Sequence, residues 1–123
     1  FYFAGMPVGL PLYKGDKVRA LAVTSKNRFS GAPELVTMQE AGVKGYEMAL
    51  WQGMFVPAGT SKEIIGTLNN VILKILDTPE LKERFIKAGV QNAPMNTQQF
   101  TELYNSDIAR WKVVIEKAKI KLD

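Results

Sequence analysis

A short, uninterrupted apolar run constrains the fold of this chain more than any other feature. It is Ala20-Leu21-Ala22-Val23, at the centre of residues 17–24. A strand with one face in water alternates apolar and polar residues, whereas a continuous run is typical of a parallel strand covered on both faces. The run therefore predicts an α/β protein rather than an all-helical one.

The residues that precede this run predict a βαβ unit. Residues 1–4 are aromatic and apolar, and we expect them to form a buried strand end. A short helix follows, with Pro7 or Pro11 in its first turn and Gly15 as its C-cap. Strand, helix and strand in this order predict a right-handed crossover within a parallel sheet.

Two further elements follow the βαβ unit. Thr37 and Glu40 have the spacing of a capping box, which predicts a short helix that ends near Gly42. Residues 46–56 then predict a long extended segment that contains Gly53. A glycine inside a strand often marks a bulge or a place where another group approaches the backbone.

The second half of the chain is mainly helical. A capping box of Thr60 and Glu63 predicts the start of a helix, whose apolar stripe is Ile64, Ile65, Leu68, Val71, Ile72, Ile75 and Leu76. Asp77 or Thr78 caps the next helix, with Pro79 at its first position.

One more strand and one more helix complete the pattern. Residues 90–93 predict a short strand, and Asn96 or Thr97 caps a last helix. The apolar stripe of this last helix is Phe100, Leu103, Tyr104, Ile108, Trp111, Ile115 and Ala118. Residues 119–123 form a short charged tail.

The pattern changes near Trp51, from strands and short helices to longer helices. This change predicts two lobes. Residues 1–50 belong to one lobe, residues 51–56 are a strand that crosses between the lobes, and residues 57–123 belong to the other.

Composition excludes several classes of site. The chain contains no cysteine and no histidine, which removes Cys/His zinc sites, disulfides, thiol nucleophiles and Ser-His-Asp triads. It has neither a GxxxxGK[ST] nor a GxGxxG motif. The carboxylates are scattered, and no pair is spaced to share a site. We therefore expect a protein that is not an enzyme.

The charge pattern does not favour nucleic acid. The formal net charge is +4, but residues 1–50 and residues 51–123 each carry mixed signs. Mixed signs are typical of a solvated surface, whereas nucleic-acid binding favours a clustered basic face. The basic balance leaves one alternative open, a stand-alone helical interaction module that binds an anionic partner.

Two strand ends are candidate sites for an anionic ligand. Phe3, Ala4 and Gly5 form a turn that leads into a helix, where exposed N–H groups attract carboxylates. Thr24 and Ser25 lie at the carboxyl end of the second strand, the edge where ligands bind in open α/β sheets. The two sites are neighbours if the strands pair, although such residues also serve ordinary turns.

Trp51, Gln52 and Gly53 form a third candidate site, because they lie in the predicted segment between lobes. Ligand clefts form preferentially at domain interfaces. Packing at the junction of the lobes is the alternative role for Trp51.

Several segments resemble a known family. Residues 17–28 (KVRALAVTSKNR), residues 32–42 (APELVTMQEAG) and residues 51–65 (WQGMFVPAGTSKEII) are similar to successive signatures of tripartite tricarboxylate transporter substrate-binding receptors, the Bug-type receptors. The closing segments Ala109-Arg110-Trp111 and Lys117-Ala118-Lys119-Ile120 resemble the C-terminal helix and tail of that family.

The resemblance implies a function. Such receptors have a two-lobed, type II periplasmic-binding-protein-like fold that closes on a small di- or tricarboxylate or a related organic acid. They are periplasmic and deliver the ligand to membrane permease subunits. The resemblance implies no metal and no organic cofactor.

The resemblance also carries expectations about this chain in particular. It would be the C-terminal portion of a receptor, residues 1–50 in the second lobe and residues 57–123 in the first. Ala4 and Gly5 replace the Asp and Asn that are more usual there, so only backbone N–H contacts are expected. Val36 replaces a common proline. Because a partial fold exposes apolar faces and sheet edges, we expect the chain to associate with itself.

Overall fold

The computed structural model describes residues 1–121 and contains four helices in that part of the chain. They are α1 (Met6–Lys14), α2 (Lys62–Leu76), α3 (Pro79–Lys87) and α4 (Thr97–Ala118). No regular strand is assigned among these residues, and one isolated parallel bridge joins Val23 to Thr37. Leu122 and Asp123, the end of the predicted tail, lie outside the described residues.

Helix α1 has the boundaries that its prolines and glycines predict. Gly5 is the N-cap with φ −60° and ψ 141°, Pro7 lies in the first turn, and Gly15 is the C-cap. Pro lacks an N–H group, so the first turn is the position where it removes no helical hydrogen bond. The Gly15 amide donates to the Pro11 carbonyl at 3.0 Å, which satisfies one of the last carbonyl groups of the helix.

The small core packs around α1. Leu10, Phe29 and Ala32 form one buried cluster, with Met6, Tyr13 and Leu35 packed against it at partial burial. Helix α1 therefore buries one face against the loop of residues 29–35. The Tyr13 hydroxyl also donates to Glu34 Oε1 at 3.0 Å, which adds a polar contact at the edge of the cluster.

The predicted capping box at Thr37 is formed, but the helix it was expected to open is wrong. The Glu40 amide donates to Thr37 Oγ1 at 3.1 Å, and the Thr37 amide donates to Glu40 Oε2 at 2.7 Å. The chain then makes hydrogen-bonded turns only, and Gly42 has a φ of 102°. A residue with a positive φ cannot continue a right-handed helix, so the capping box closes a turn here instead of opening a helix.

The start of α2 also differs from expectation. The Thr60 hydroxyl donates to the Pro57 carbonyl at 2.8 Å, so it serves the preceding turn. The Ser61 hydroxyl accepts from the Ile64 amide at 3.3 Å and takes the capping role. The predicted capping box of Thr60 and Glu63 is therefore wrong by one residue.

The caps of α3 and α4 follow the sequence closely. Thr78 is the N-cap of α3, and Pro79 is its first residue. Asn96 caps α4 through a complete capping box with Gln99, with distances of 2.8 and 2.9 Å. Helix α4 ends at Ala118, and its C-cap is Lys119, which has a left-handed φ of 52°.

Contacts divide the chain into two compact units. One comprises Phe1–Gln52 and Ile75–Ala93, and the other comprises Gly53–Lys74 and residues 94–121. The first contains α1 and α3, and the second contains α4 and most of α2. The assignment of residues 1–50 and 57–123 to two lobes concerns a complete receptor and stays a prediction.

The predicted parallel sheet is not confirmed. Residues 17–24 contribute the single bridge at Val23, where the Val23 amide donates to the Val36 carbonyl and the Met38 amide to the Val23 carbonyl. The expectation that residues 1–4 are buried is wrong, since Phe1 and Tyr2 are exposed. Leu21, within the apolar run, is also exposed. Side chains of a parallel strand are buried by helices that cover both faces of its sheet, and residues 1–121 form no regular sheet for helices to cover.

Candidate ligand-binding site

The first predicted site is the loop that enters α1. The Gly5 carbonyl accepts from the amides of Val8 and Gly9, both at 2.9 Å, and no side chain caps this end of the helix. Ala4 lies beside Gly9, because a Cβ on Gly9 would be 3.2 Å from Ala4 Cβ. The Phe3 side chain is exposed and contacts the Phe1 ring edge to face at 5.7 Å. The loop thus presents backbone groups and one aromatic ring.

The second predicted site follows the isolated bridge. The Thr24 carbonyl accepts from the Met48 amide at 2.9 Å, and the Ser25 hydroxyl donates to the Asn27 carbonyl at 2.7 Å. A serine hydroxyl has one proton, so in this arrangement Ser25 offers a ligand only its lone pairs. To donate to a carboxylate, Ser25 would have to release its turn bond.

A short segment before Trp51 borders both of these sites. The Met48 amide contacts Thr24, and Leu50 Cδ1 lies 3.9 Å from the position that a Cβ of Gly5 would occupy. Two residues along a chain span at most about 7 Å, so the Gly5 loop and Thr24 flank one stretch of backbone. Leu50 is largely exposed there.

Sequence reasoning missed Met48 and Leu50. The signal that could have found them is their spacing of two within a predicted strand, which places both on one face. Trp51 is half-buried and engaged with neighbouring groups, and Gln52 is exposed.

Gly53 has a packing role. It belongs to the second unit, where a Cβ built on it would lie 2.1 Å from Phe100 Cζ. No atom pair tolerates that separation, so only glycine lets the Phe100 ring lie against the backbone at this point. The Phe100 ring also packs against Phe55 at 5.4 Å. The group that approaches the Gly53 backbone is therefore an aromatic side chain of the same unit.

The structure has an open polar depression of about 330 Å³, whose lining residues begin directly after Ser25 in the sequence. None of the eight predicted residues lines it. Its lining residues are Lys26, Asn27, Arg28, Thr37, Gln39 and Glu40.

Two of the lining residues, Arg28 and Glu40, form an ion pair. Arg28 Nε donates to Glu40 Oε2 at 2.9 Å, and Arg28 Nη1 donates to the Pro33 carbonyl at 3.0 Å. The hydrogen bond from Arg28, followed by that from the Thr37 backbone, holds the pKa of the Glu40 carboxyl below its ordinary value of 4.5. These bonds fasten the loop, and we read the depression as a product of that loop.

The eight predicted residues carry no titratable side chain, so their chemistry is hydrogen bonding and apolar contact. Within residues 1–121 no group of three or more acidic residues is placed to hold a metal ion. None of the helices described is both long enough and apolar enough to cross a bilayer. What the sites offer a ligand is backbone amides, hydroxyls and aromatic faces.

The chain belongs to the tripartite tricarboxylate transporter receptor family, whose family model matches residues 2–120. It is 35% identical over 102 residues to the UPF0065 protein in the tcbD-tcbE intergenic region of Pseudomonas sp. strain P51. That match covers 81% of this chain and 30% of the Pseudomonas protein.

Three solved structures are also similar to this chain. An R. palustris protein solved with adipate superposes with a TM-score of 0.79 and 32% identity, covering 94% of this chain and 38% of that one. The periplasmic binding protein BugD gives a TM-score of 0.74 and 31% identity, with 91% and 38% covered. MatC from Rhodopseudomonas palustris, with bound malate, gives a TM-score of 0.70 and 28% identity, and the match covers 89% of this chain and 38% of MatC.

The matches also define how much of the receptor fold is present. This chain spans 30% of the length of the Pseudomonas relative and 38% of each of the three solved chains. It is therefore similar to about a third of a receptor. The expected resemblance to this family is confirmed.

Proposed function

We propose that this chain forms part of an extracytoplasmic receptor that captures a small di- or tricarboxylate, or a related organic acid, without converting it. The observation that carries the proposal is the family match over residues 2–120, joined to two similar structures that hold adipate and malate. Both ligands are small dicarboxylates, although they differ in length and polarity.

The proposed mechanism is capture by neutral donors. Backbone amides near Gly5, the Thr24 hydroxyl and bridging water would surround a carboxylate group, and the Ser25 hydroxyl would join them by releasing its bond to the Asn27 carbonyl. Phe3 and Trp51 would cover the apolar part of the ligand, and Gln52 would add an amide. The peptide bond between Gln52 and Gly53 would contribute its backbone groups.

Neutral donors suit a receptor that must also release its cargo. A hydrogen bond to a charged group contributes about 1.5–3 kcal/mol, so a few of them give useful affinity without an ion pair. In the complete receptor, residues 1–50 would belong to one lobe, residues 57–123 to the other, and residues 51–56 would cross between them. Hinge closure of the lobes would then enclose the ligand.

The receptor would act in the periplasm and deliver its ligand to the membrane permease subunits of a tripartite transporter. The family description and the periplasmic protein BugD among the similar structures support this location. The exposed apolar residues of the chain also support the proposal that it associates with itself when it is present alone.

The test is a hybrid receptor in which this chain replaces the matching 38% of the R. palustris protein solved with adipate. Calorimetric titration with adipate and with malate should show saturable binding of at least one acid. Thr24→Val removes the hydroxyl and keeps the shape, so it should weaken binding by about tenfold or more.

The matched control is Thr101→Val, since the Thr101 hydroxyl donates to a helical carbonyl within α4. It should leave the Kd unchanged. A hybrid that unfolds cooperatively and yet binds neither acid contradicts the proposal. Equal Kd values for Thr24→Val and Thr101→Val would remove Thr24 from the site.

A further inference from the structure

The backbone stretch that borders both strand-end sites carries an exposed leucine. Leu50 Cδ1 lies 3.9 Å from the position that a Cβ of Gly5 would occupy, and Leu50 is 85% exposed. Two residues earlier, the Met48 amide donates to the Thr24 carbonyl at 2.9 Å. All of these residues belong to the same compact unit. Leu50 therefore lies beside the Gly5 loop, where it is open to an incoming molecule.

The side chains around Leu50 offer a ligand few hydrogen-bonding groups. Residues 3–5 supply none, and Met48 supplies only a weak thioether acceptor. The Ser25 hydroxyl already donates its proton to the Asn27 carbonyl at 2.7 Å. The Thr24 hydroxyl is the remaining side-chain donor of the two strand-end sites. Apart from backbone amides, the surroundings of Leu50 are therefore mostly apolar.

Such surroundings treat a methylene group and a hydroxyl group of a ligand differently. A methylene group needs no hydrogen-bonding partner and is stabilised when it leaves water for contact with a leucine. A hydroxyl group that loses its water molecules without a new partner is destabilised. In the proposed site, the Thr24 hydroxyl and the amides near Gly5 serve the carboxylate group, so they do not serve a second polar group of the ligand.

We infer that Leu50 makes the receptor selective for organic acids whose carbon chain carries no hydroxyl group. The substrate class is then the unsubstituted carboxylates, and hydroxy acids of equal length bind more weakly. The inference rests on the proposed function, because it needs a carboxylate held between the Gly5 loop and Thr24. It adds a specificity-determining residue to that site.

Succinate and malate are suitable probes, because they have the same carbon chain and differ by one hydroxyl group. The test uses a hybrid receptor in which this chain replaces the matching 38% of MatC, which was solved with bound malate. Calorimetric titration gives the Kd of each acid. The Kd of malate should exceed that of succinate by about tenfold, since an apolar site discriminates against an added hydroxyl by up to about 100-fold.

Leu50→Asn supplies an amide in place of the apolar side chain at similar size. It should lower the ratio of the malate Kd to the succinate Kd by about tenfold, because the amide can pair with the hydroxyl group of malate. The matched control is Val43→Asn. Val43 is 44% exposed in the same unit, outside the candidate site, and its replacement should leave the ratio unchanged.

The ratio separates selectivity from packing. If Leu50 only stabilises the fold, Leu50→Asn lowers the Tm of the hybrid without ligand and weakens both acids equally. An unchanged ratio in Leu50→Asn would therefore overturn the inference, as would a hybrid that binds malate at least as tightly as succinate. Both of these outcomes leave the proposed function intact. A folded hybrid that binds neither acid contradicts the proposed function and the inference together.

A second hybrid covers the case in which the MatC hybrid does not unfold cooperatively. It uses the R. palustris protein solved with adipate, and the probes are adipate and 3-hydroxyadipate. The same ratio and the same two variants are measured, with the same expected changes. Failure of both hybrids to fold would contradict the premise that this chain completes a receptor site, and with it the inference.

Discussion

Gly89 offers a sharp test of how the loop before α1 is held in place. It has a φ of 74°, and a Cβ on it would lie 2.9 Å from the Met6 carbonyl carbon and oxygen and from the Pro7 nitrogen. Those atoms are backbone of the first turn of α1, and they cannot rotate away as a flexible side chain would. Gly89→Ala should therefore strain its own backbone and also displace the helix start next to Gly5.

The magnitude follows from two separate costs. An alanine in the left-handed region costs about 1–2 kcal/mol. The collision with fixed backbone adds about 1–3 kcal/mol, the usual range for overpacking. The expected loss in the free energy of unfolding is therefore about 2–5 kcal/mol, measured by urea unfolding with far-UV circular dichroism.

Gly59→Ala is the matched control for Gly89→Ala. Gly59 has a φ of 85°, but nothing lies within 4 Å of the position that its Cβ would take. Gly59→Ala should cost only the conformational term of about 1–2 kcal/mol. Equal losses for the two variants would refute the argument that Gly89 packs against the start of α1. Hydrogen exchange at the Val8 and Gly9 amides should rise in Gly89→Ala alone.

Three further predictions concern single interactions. Because the folded-state pKa of Glu40 lies below its ordinary value of 4.5, the ion pair stabilises the fold above that pH and is lost as the pH falls through the folded-state pKa. The Tm advantage of wild type over Glu40→Gln should therefore shrink during acid titration, and a constant advantage would contradict this. Asn96→Ala removes the capping box of α4 and should cost about 1 kcal/mol of unfolding free energy in urea; no loss would mean that the cap is redundant. Gly53→Ala should destabilise by about 1–3 kcal/mol, because its Cβ would collide with an aromatic ring of α4. Its control, Gly66→Ala, lies in α2 with open space around it and should stabilise by up to about 1 kcal/mol, so equal signs for the two would refute the packing argument.

The helix termini could be predicted from sequence because they depend on neighbouring residues. Gly15 ends α1 as predicted, and the structure selects Pro7, Thr78 and Asn96 from the pairs of alternatives that the sequence left open; Pro11, the other candidate for the first turn of α1, lies inside that helix. The capping box at Thr37 also formed as predicted, although Gly42 limited it to a turn.

The parallel sheet could not be established in the same way. Each strand needs a hydrogen-bonding neighbour that is distant in sequence, and this chain spans 38% of the solved receptors that it resembles. The apolar run at residues 20–23 retains the pattern of a covered strand, yet Leu21 is exposed. The apolar pattern of residues 20–23 is thus typical of a strand in a covered sheet, whereas residues 1–121 leave part of that run exposed.

The candidate site shows the same division. The sequence alone was enough to identify the family and to indicate Gly5 and Thr24 at the ends of predicted strands and Trp51 in the predicted segment between lobes. Only tertiary structure placed Met48 against Thr24, Leu50 beside Gly5 and the Phe100 ring against Gly53. Helix signals are local because the hydrogen bonds of a helix join residues four apart, whereas these contacts close loops of tens of residues, and no local pattern encodes which partners meet.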